Sequence, residues 1–512
     1  MYLFRHNGQL SIEEFYHPFG GQLDPDNRWM VMSGIIPWEK LEGQYAPQFN
    51  RTIGAPAKPF RMALAALCIQ QRLGLTDRDT VEIISECPYM QYFIGLSGYQ
   101  FTKPFDPSMM VHFRKRIGPD LIKICNDMTK QNGIAMLKDL LAECSERECT
   151  EADKEELASI VALLGEKPSS DDPDANWGTL MLDATCAPED IPYPSDLRLL
   201  NEARETTEYV IDKLHAQISD SYGRKPRCNR DKARHMFLSI AKKKKTTKKE
   251  LREAKRFQLI EISRNLSSID KLIDCGASLL GLGRHFYQKL LVTSELYRQQ
   301  QEMYDADVCR VDNRIVNLSK PHVRPIVRGK AGRKTEFGAK ISISDDNGFV
   351  DLDRLGWENY NESADLIPRV EKYKQERGYY PECICADQIY MTAKNKQYCA
   401  DRGIRLSGRR LGSNSKEQET TAEQKELFKA DQRKRSVIEG RIGTGKRKYG
   451  LGLIMTKLIE TSECVISMAL YVMNIEKILR LVRLVYAFFL CLYYFLLLLL
   501  KPLQGEGWML AA

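Results

Sequence analysis

Two short apolar stretches, each closed by an aspartate, constrain the fold of this chain most. Trp177-Gly-Thr-Leu-Met-Leu-Asp183-Ala-Thr185 reads as a buried strand ending in a carboxylate, broken by the three prolines of Ala187-Pro-Glu-Asp-Ile-Pro-Tyr-Pro194. Glu382-Cys-Ile-Cys-Ala-Asp387 repeats the pattern. A carboxylate at the end of a buried strand is costly unless it is paired or holds a metal. Aspartate also caps turns before proline-rich loops, so Asp183 alone decides nothing.

A third carboxylate stands in Arg435-Ser-Val-Ile-Glu439-Gly-Arg-Ile-Gly-Thr-Gly-Lys446-Arg-Lys-Tyr449-Gly450. On a helix, Arg435, Glu439 and Lys446 share a face, because offsets of four and seven residues return to the same side. Gly440, Gly443 and Gly445 weaken an ordinary helix by roughly 1 kcal/mol each relative to Ala. In a basic segment they suit close backbone approach to a large anion. The simpler alternative is a solvated Arg–Glu pair, with Glu417, Glu419, Glu423, Glu426 and Asp431 as rival carboxylates.

Between these points the apolar period switches from helix to strand and back. The first 135 residues read as short helices. One is Phe60 to Leu73 closed by Gly74, a second is capped at Thr76, and a third starts at Asp106-Pro107-Ser108 and ends in Arg114-Lys115-Arg116-Ile-Gly118. That pattern fits a helix-turn-helix unit or a plain helical bundle equally well. Acidic residues from Glu143 to Glu156, then Pro168-Ser-Ser-Asp-Asp-Pro-Asp174, predict an acidic helix and a linker. Asp196 to about Gln300 reads as long helices. From Arg310 the chain turns to strands, with Asn347-Gly348 marking a hairpin. The resulting order gathers Asp183, Asp387 and Glu439 around a mixed sheet, where three carboxylates suit a hard divalent cation.

Charge is unevenly spread. The chain of 512 residues carries a net +8, yet residues 224–256 hold 15 Lys/Arg against Asp231, Glu250 and Glu253, a local +12. The rest therefore sums to −4, and a localised polyanion partner follows, with Lys242, Lys243, Lys244 and Lys245 at its centre. Fourteen cysteines without a CxxC pair, in a chain whose start predicts no secretory signal, read as free thiols of a reducing cytoplasm. Alternation puts Cys383 and Cys385 on one strand face as buried thiols. Residues 484–500 are apolar throughout but at the lower limit of a membrane span, so a buried or oligomer-forming helix is expected and no membrane partner.

At these positions the chain resembles the DDE transposases of bacterial insertion sequences, in the group related to insertion-sequence families four and five. Their motif around the third acid runs Tyr-x2-Arg-x3-Glu-x6-Lys, and Arg435-x3-Glu439-x6-Lys446 fits it. The tyrosine position holds Gln432, a departure that touches the tyrosine's own interactions and leaves the acid in place. Leu182-Asp183-Ala-Thr185, Tyr193-Pro-Ser-Asp196, Arg324-Pro-Ile-Val-Arg328-Gly-Lys330, Glu336-Phe-Gly-Ala-Lys340 and Ala386-Asp387-Gln-Ile-Tyr390 match as well. The likeness runs from roughly residue 25 to 478 and fades in the apolar tail.

The resemblance implies an α/β fold, α+β overall: an RNase H-like mixed sheet flanked by helices, with a helical N-terminal DNA-binding domain and a helical basic insertion. The expected divisions are 1–137, a linker 138–175, the first core strand 176–200, the insertion 201–309, the remaining core 310–460 and a tail 461–512. The resemblance also implies metal-dependent cleavage and joining of DNA, with Asp183, Asp387 and Glu439 holding two Mg2+ or Mn2+ ions. Arg435 and Lys446 would lie near the scissile phosphate. Arg114, Lys115, Arg116, Arg324, Arg328 and Lys330 join the expected DNA contacts, and a homodimer would hold two element ends in the bacterial nucleoid. The alternatives are a structure-specific nuclease of the same fold and a catalytically inactive DNA-binding protein.

Overall fold

The structure, a computed structural model, describes residues 15–16, 21–50, 54, 56–145, 167, 172, 175–327, 335–409 and 422–500. Its centre is one mixed sheet of β1 (Thr179–Pro188), β2 (Arg324–Val327), β3 (Thr335–Asp346), β4 (Phe349–Gly356), β5 (Cys383–Ala386) and β6 (Arg405–Ser407). The strand order is β2-β3-β1-β5-β6, with β4 also on β3. β1, β3 and β4 run antiparallel, while β1, β5 and β6 run parallel. Three antiparallel strands followed by two parallel ones, with helices on the faces, make the expected RNase H-like sheet. The β3–β4 turn uses Asn347 (φ 49°) and Gly348 (φ 85°), the positive-φ pair that a tight hairpin requires.

The first strand is longer than its sequence suggests. β1 does not stop at Asp183 but pairs with β3 as far as Pro188 opposite Gly338. β3 is 12 residues long and supplies partners past the expected end. Pro188 has no N–H to give, so it is tolerated at the strand's last position. Gly338 is needed there, since a Cβ would stand 2.0 Å from the carbonyl oxygen of Ala187.

Helices α1 (Arg28–Ile35), α2 (Trp38–Tyr45), α3 (Phe60–Leu73), α4 (Asp77–Glu86), α5 (Pro88–Phe93) and α6 (Met109–Ser145) precede the sheet. Gly74 closes α3 at φ 68°, and the Thr76 hydroxyl caps α4. Gly118 (φ 45°) breaks α6, which then continues across residue 137, so the expected boundary falls inside a helix. In the insertion, α7 (Asp196–His215), α8 (Arg230–Ala241), α9 (Lys248–Asp274) and α10 (Arg284–Asp305) bury apolar sets of their own, among them Leu200, Ile262 and Leu296. α11 (Leu366–Arg377), α12 (Ala393–Ala400) and α13 (Ala422–Lys448) interleave with the later strands, and α14 (Ile459–Leu500) follows. α14 packs along α6: Ile478 meets Gly133, and Tyr471 meets Thr129 at 3.1 Å between hydroxyls. One apolar core therefore joins α1–α6, the β3–β4 face and α14. Among the described residues no helix is long and apolar enough to cross a membrane.

Candidate active site

Strand register brings the first two acids together. Leu182 of β1 lies beside Ala386, the last residue of the parallel strand β5, so Asp183 and Asp387 follow side by side. Neighbouring strands are about 4.8 Å apart, close enough for both carboxylates to serve one site. Asp387 leaves the strand at once and caps the short turn Gln388–Tyr390, accepting from the Gln388 amide at 2.7 Å. Asp183 accepts from the Ala184 amide at 2.8 Å.

The third acid arrives on α13, which lies across β1 and β5 and buries Ile438 against Met181, Cys383 and Cys385. That packing fixes the helix's rotation and turns Arg435, Glu439 and Ile442 toward a cavity of about 730 Å3 shared with Asp183 and Asp387. The Arg435 guanidinium spans two of the acids, donating to Asp387 at 2.8 Å and to Glu439 at 3.0 Å. Burial pushes the Asp183 carboxyl up to about 6; the Ala184 amide and Arg435 oppose the shift, and Asp387 and Glu439 add to it. Negative charge is thus concentrated where one guanidinium is its cationic partner, and the donor set is hard oxygen throughout, as Mg2+ or Mn2+ prefers. Among the described residues, none of the rival carboxylates lines this cavity: Glu423 and Glu426 are exposed earlier on α13, and Asp431 is buried against Arg405. Glu417 and Glu419 lie outside the described residues.

The cavity holds residues to which the sequence alone assigns no role. Lys340 of β3 donates to the Tyr360 carbonyl at 2.6 Å and pairs with Glu362, and all three line the same cavity as Glu439. The signal was present, since Lys340 ends the stretch Glu336-Phe-Gly-Ala-Lys340, whose alternation sets the residue's face.

Several expected DNA contacts sit differently. Arg114 is buried and forks onto Asp77 at 2.6 and 2.9 Å, with Gln70 at 2.8 Å, so it is not available to DNA. It holds α4 to α3 and α6, because a buried guanidinium needs a carboxylate beside it. Lys115 is exposed, and Arg116 lies exposed over the Phe49 ring at 4.7 Å. Arg324 donates to the carbonyls of Pro321 and Val323 in its own loop. Arg328 and Lys330 lie outside the described residues. Lys446 is half-buried further along α13 and is not among the cavity's lining residues. The glycines behave differently from expectation too. A Cβ at Gly445 would meet Leu451 at 2.8 Å and Met473 at 3.3 Å, so that glycine serves packing against α14, whereas Gly440 faces open space.

Residues 384–476 match the family model of the transposase DDE domain, and residues 17–116 match a second one, Transposase domain (DUF772). The two matches, one near each end of the described chain, support a bacterial insertion-sequence DDE transposase. The DDE match covers Asp387, Arg435 and Glu439 and begins after Asp183. Among curated proteins, this chain is 32% identical over 117 residues to an uncharacterized protein, ORF8 in the nfe locus of Rhizobium meliloti. That alignment takes in 22% of the chain and 56% of the relative, so the chain spans about half the relative's length. No solved structure matches the chain.

Proposed function

We propose that this chain is a transposase that cleaves DNA at the ends of its own insertion sequence and joins them to target DNA at the cavity of Asp183, Asp387 and Glu439. The observation that carries the reading is the convergence of three carboxylates from β1, the end of β5 and α13 on one cavity, two of them bridged by Arg435. Two divalent ions held by these acids, Mg2+ or Mn2+, would activate a water or a 3′-hydroxyl and stabilise the leaving oxygen.

The chain's own residues supply the rest. Arg435 offers a planar fork that fits phosphate oxygens as well as carboxylates, so it can pass from the acids to the DNA backbone. Lys446 lies further along α13, outside the cavity lining, and Lys340 lines the cavity itself. Lys115 and Arg116 and the lysines at 242–245 are the exposed cations proposed to track the duplex. Element ends must be held in pairs, which favours a homodimer working in the cytoplasm on the nucleoid.

Glu439→Gln tests the reading because it keeps shape and removes the charge that a metal needs. The variant is expected to fold and to bind end-containing duplex at least as tightly as wild type. Nicking and strand transfer with Mg2+ should both collapse, as for Asp183→Asn and Asp387→Asn, while Glu426→Gln stays active. Wild-type nicking by Glu439→Gln, or a wild type that never nicks an end-containing duplex, would overturn it.

A further inference from the structure

A second set of metal-ligating groups lies on the hidden side of α13. Among the described residues, Cys383, Cys385 and Asp431 form the cluster whose donor atoms all lie within 4.8 Å of one another. Both thiols and the carboxylate are buried. Cys383 Sγ stands 3.7 Å from Cys385 Sγ and 3.8 Å from Asp431 Oδ1. A tetrahedral metal with Zn–S bonds of about 2.3 Å places its sulfurs roughly 3.8 Å apart, the same separation.

Two thiols simply packed together would reach that distance too. They would not call for a buried carboxylate on their third side, because burying a charge beside sulfur carries a large desolvation penalty. Asp431 is oriented as a ligand. Its Oδ2 is paired with Arg405, which leaves Oδ1 turned toward the sulfurs. Ligating carboxylates are commonly held in this way through their other oxygen. Two thiolates, one carboxylate and the Arg405 guanidinium leave two negative charges, which a divalent ion cancels. The Met181 thioether belongs to the same buried group, opposite Cys385 in the strand register. An open cavity of about 600 Å3 reaches Asp431 and Arg405 from outside and provides a path in.

We propose that Cys383, Cys385 and Asp431 bind a thiophilic divalent cation, Zn2+ in the first place, separate from the ions at the acidic cavity. Each thiol gives its proton to solvent as the metal arrives, so both ligands bind as thiolates. The ion clamps α13 to β5. Asp431 precedes Arg435 by one helical turn and Glu439 by two, and Cys385 precedes Asp387 by two residues. The clamp thereby fixes the helix that carries the third acid against the strand that carries the second. Metal binding itself does not depend on what the acidic cavity does; only this positioning role rests on the proposed function.

The full chain, reduced and stripped with a chelator, is titrated with Co2+. A thiolate-to-cobalt charge-transfer band with the visible absorption of tetrahedral cobalt should saturate at a single equivalent. Zn2+ should abolish it, and excess Mg2+ should leave it unchanged. Glu439→Gln should keep the band, and Cys383→Ser with Cys385→Ser should lose it. If that double variant does not fold, Arg405→Gln decides: it keeps all three ligands and should weaken binding by about 10–100-fold. No thiolate band in the wild type, a band that survives loss of both cysteines, or unchanged affinity in Arg405→Gln would overturn the site.

Discussion

Individual side chains show how far one residue's surroundings set its chemistry. Arg435 is half-buried and links Asp387 to Glu439, so it occupies the place of the cations that these acids are proposed to hold. Arg114 carries the same group and is consumed by Asp77 inside the helical bundle. His322 illustrates the cost of burial without a partner. It packs edge-on against Trp357, with ring centres 4.4 Å apart, and its Nε2 has no hydrogen-bond partner among the described residues. Burial, with Lys320 and Arg324 adding to it, lowers the imidazole from 6.5 to about 4. The unfolded chain therefore takes up a proton near pH 6.5 that the fold refuses until about pH 4. Stability should fall as pH drops through that window. His322→Gln should flatten this dependence in chemical denaturation between pH 7 and 4. A slope equal to that of wild type would show that His322 does not titrate on unfolding.

Elements place these side chains, and their edges follow partners rather than local signals. β1 outruns Asp183 because β3 offers a ladder beyond it, and α13 carries a glycine at 445 because that position leaves room for Leu451 and Met473. The basic insertion uses part of its charge internally. Lys255 binds Asp196, Lys225 and Arg230 bind Asp212, and Arg252 binds Asp307. The raw +12 therefore overstates what is offered to a partner. The loop between α8 and α9 remains, with Lys242, Lys243, Lys244 and Lys245 all exposed and, among the described residues, only Lys243 in an ion pair, with Glu250. Neutralising these four should weaken binding to all duplexes alike, whatever their sequence. The log–log salt slope should flatten by up to about 0.9 for each DNA phosphate that the loop no longer neutralises. An unchanged slope would remove this loop from the DNA path.

At the scale of the whole molecule, helices α1–α6 and the last helix share a core. α14 closes α1–α6 through Ile478 at Gly133, Tyr471 at Thr129 and an ion pair of Glu476 with Arg72. Buried charges join the bundle to the sheet. Asp351 of β4 receives Lys130 at 2.7 Å and Arg369 at 3.2 Å, and its carboxyl is held well below the usual range despite full burial. A fragment of residues 1–150 would expose the face that α14 covers, so it is expected to lack cooperative unfolding and to bind hydrophobic dyes. Adding a peptide of residues 459–487 should restore a transition in thermal melts. A fragment that melts cooperatively alone would show that the shared core is dispensable to it.

The sequence by itself determined the alternation of the core strands, the hairpin at Asn347-Gly348, the helix stop at Gly74, and the candidacy of Asp183, Asp387 and Glu439. These follow from local backbone preference and side-chain alternation, which act over a few residues. It also held the common face of Arg435 and Glu439, a consequence of helical pitch alone. Only the tertiary structure decided that β1 continues to Pro188, that Arg114 is internal, that Lys340 and Glu362 wall the cavity, and that Asp431 meets Cys383 and Cys385. Each of these joins residues far apart in the chain. Burial and charge pairing set them, and both depend on which surfaces come together.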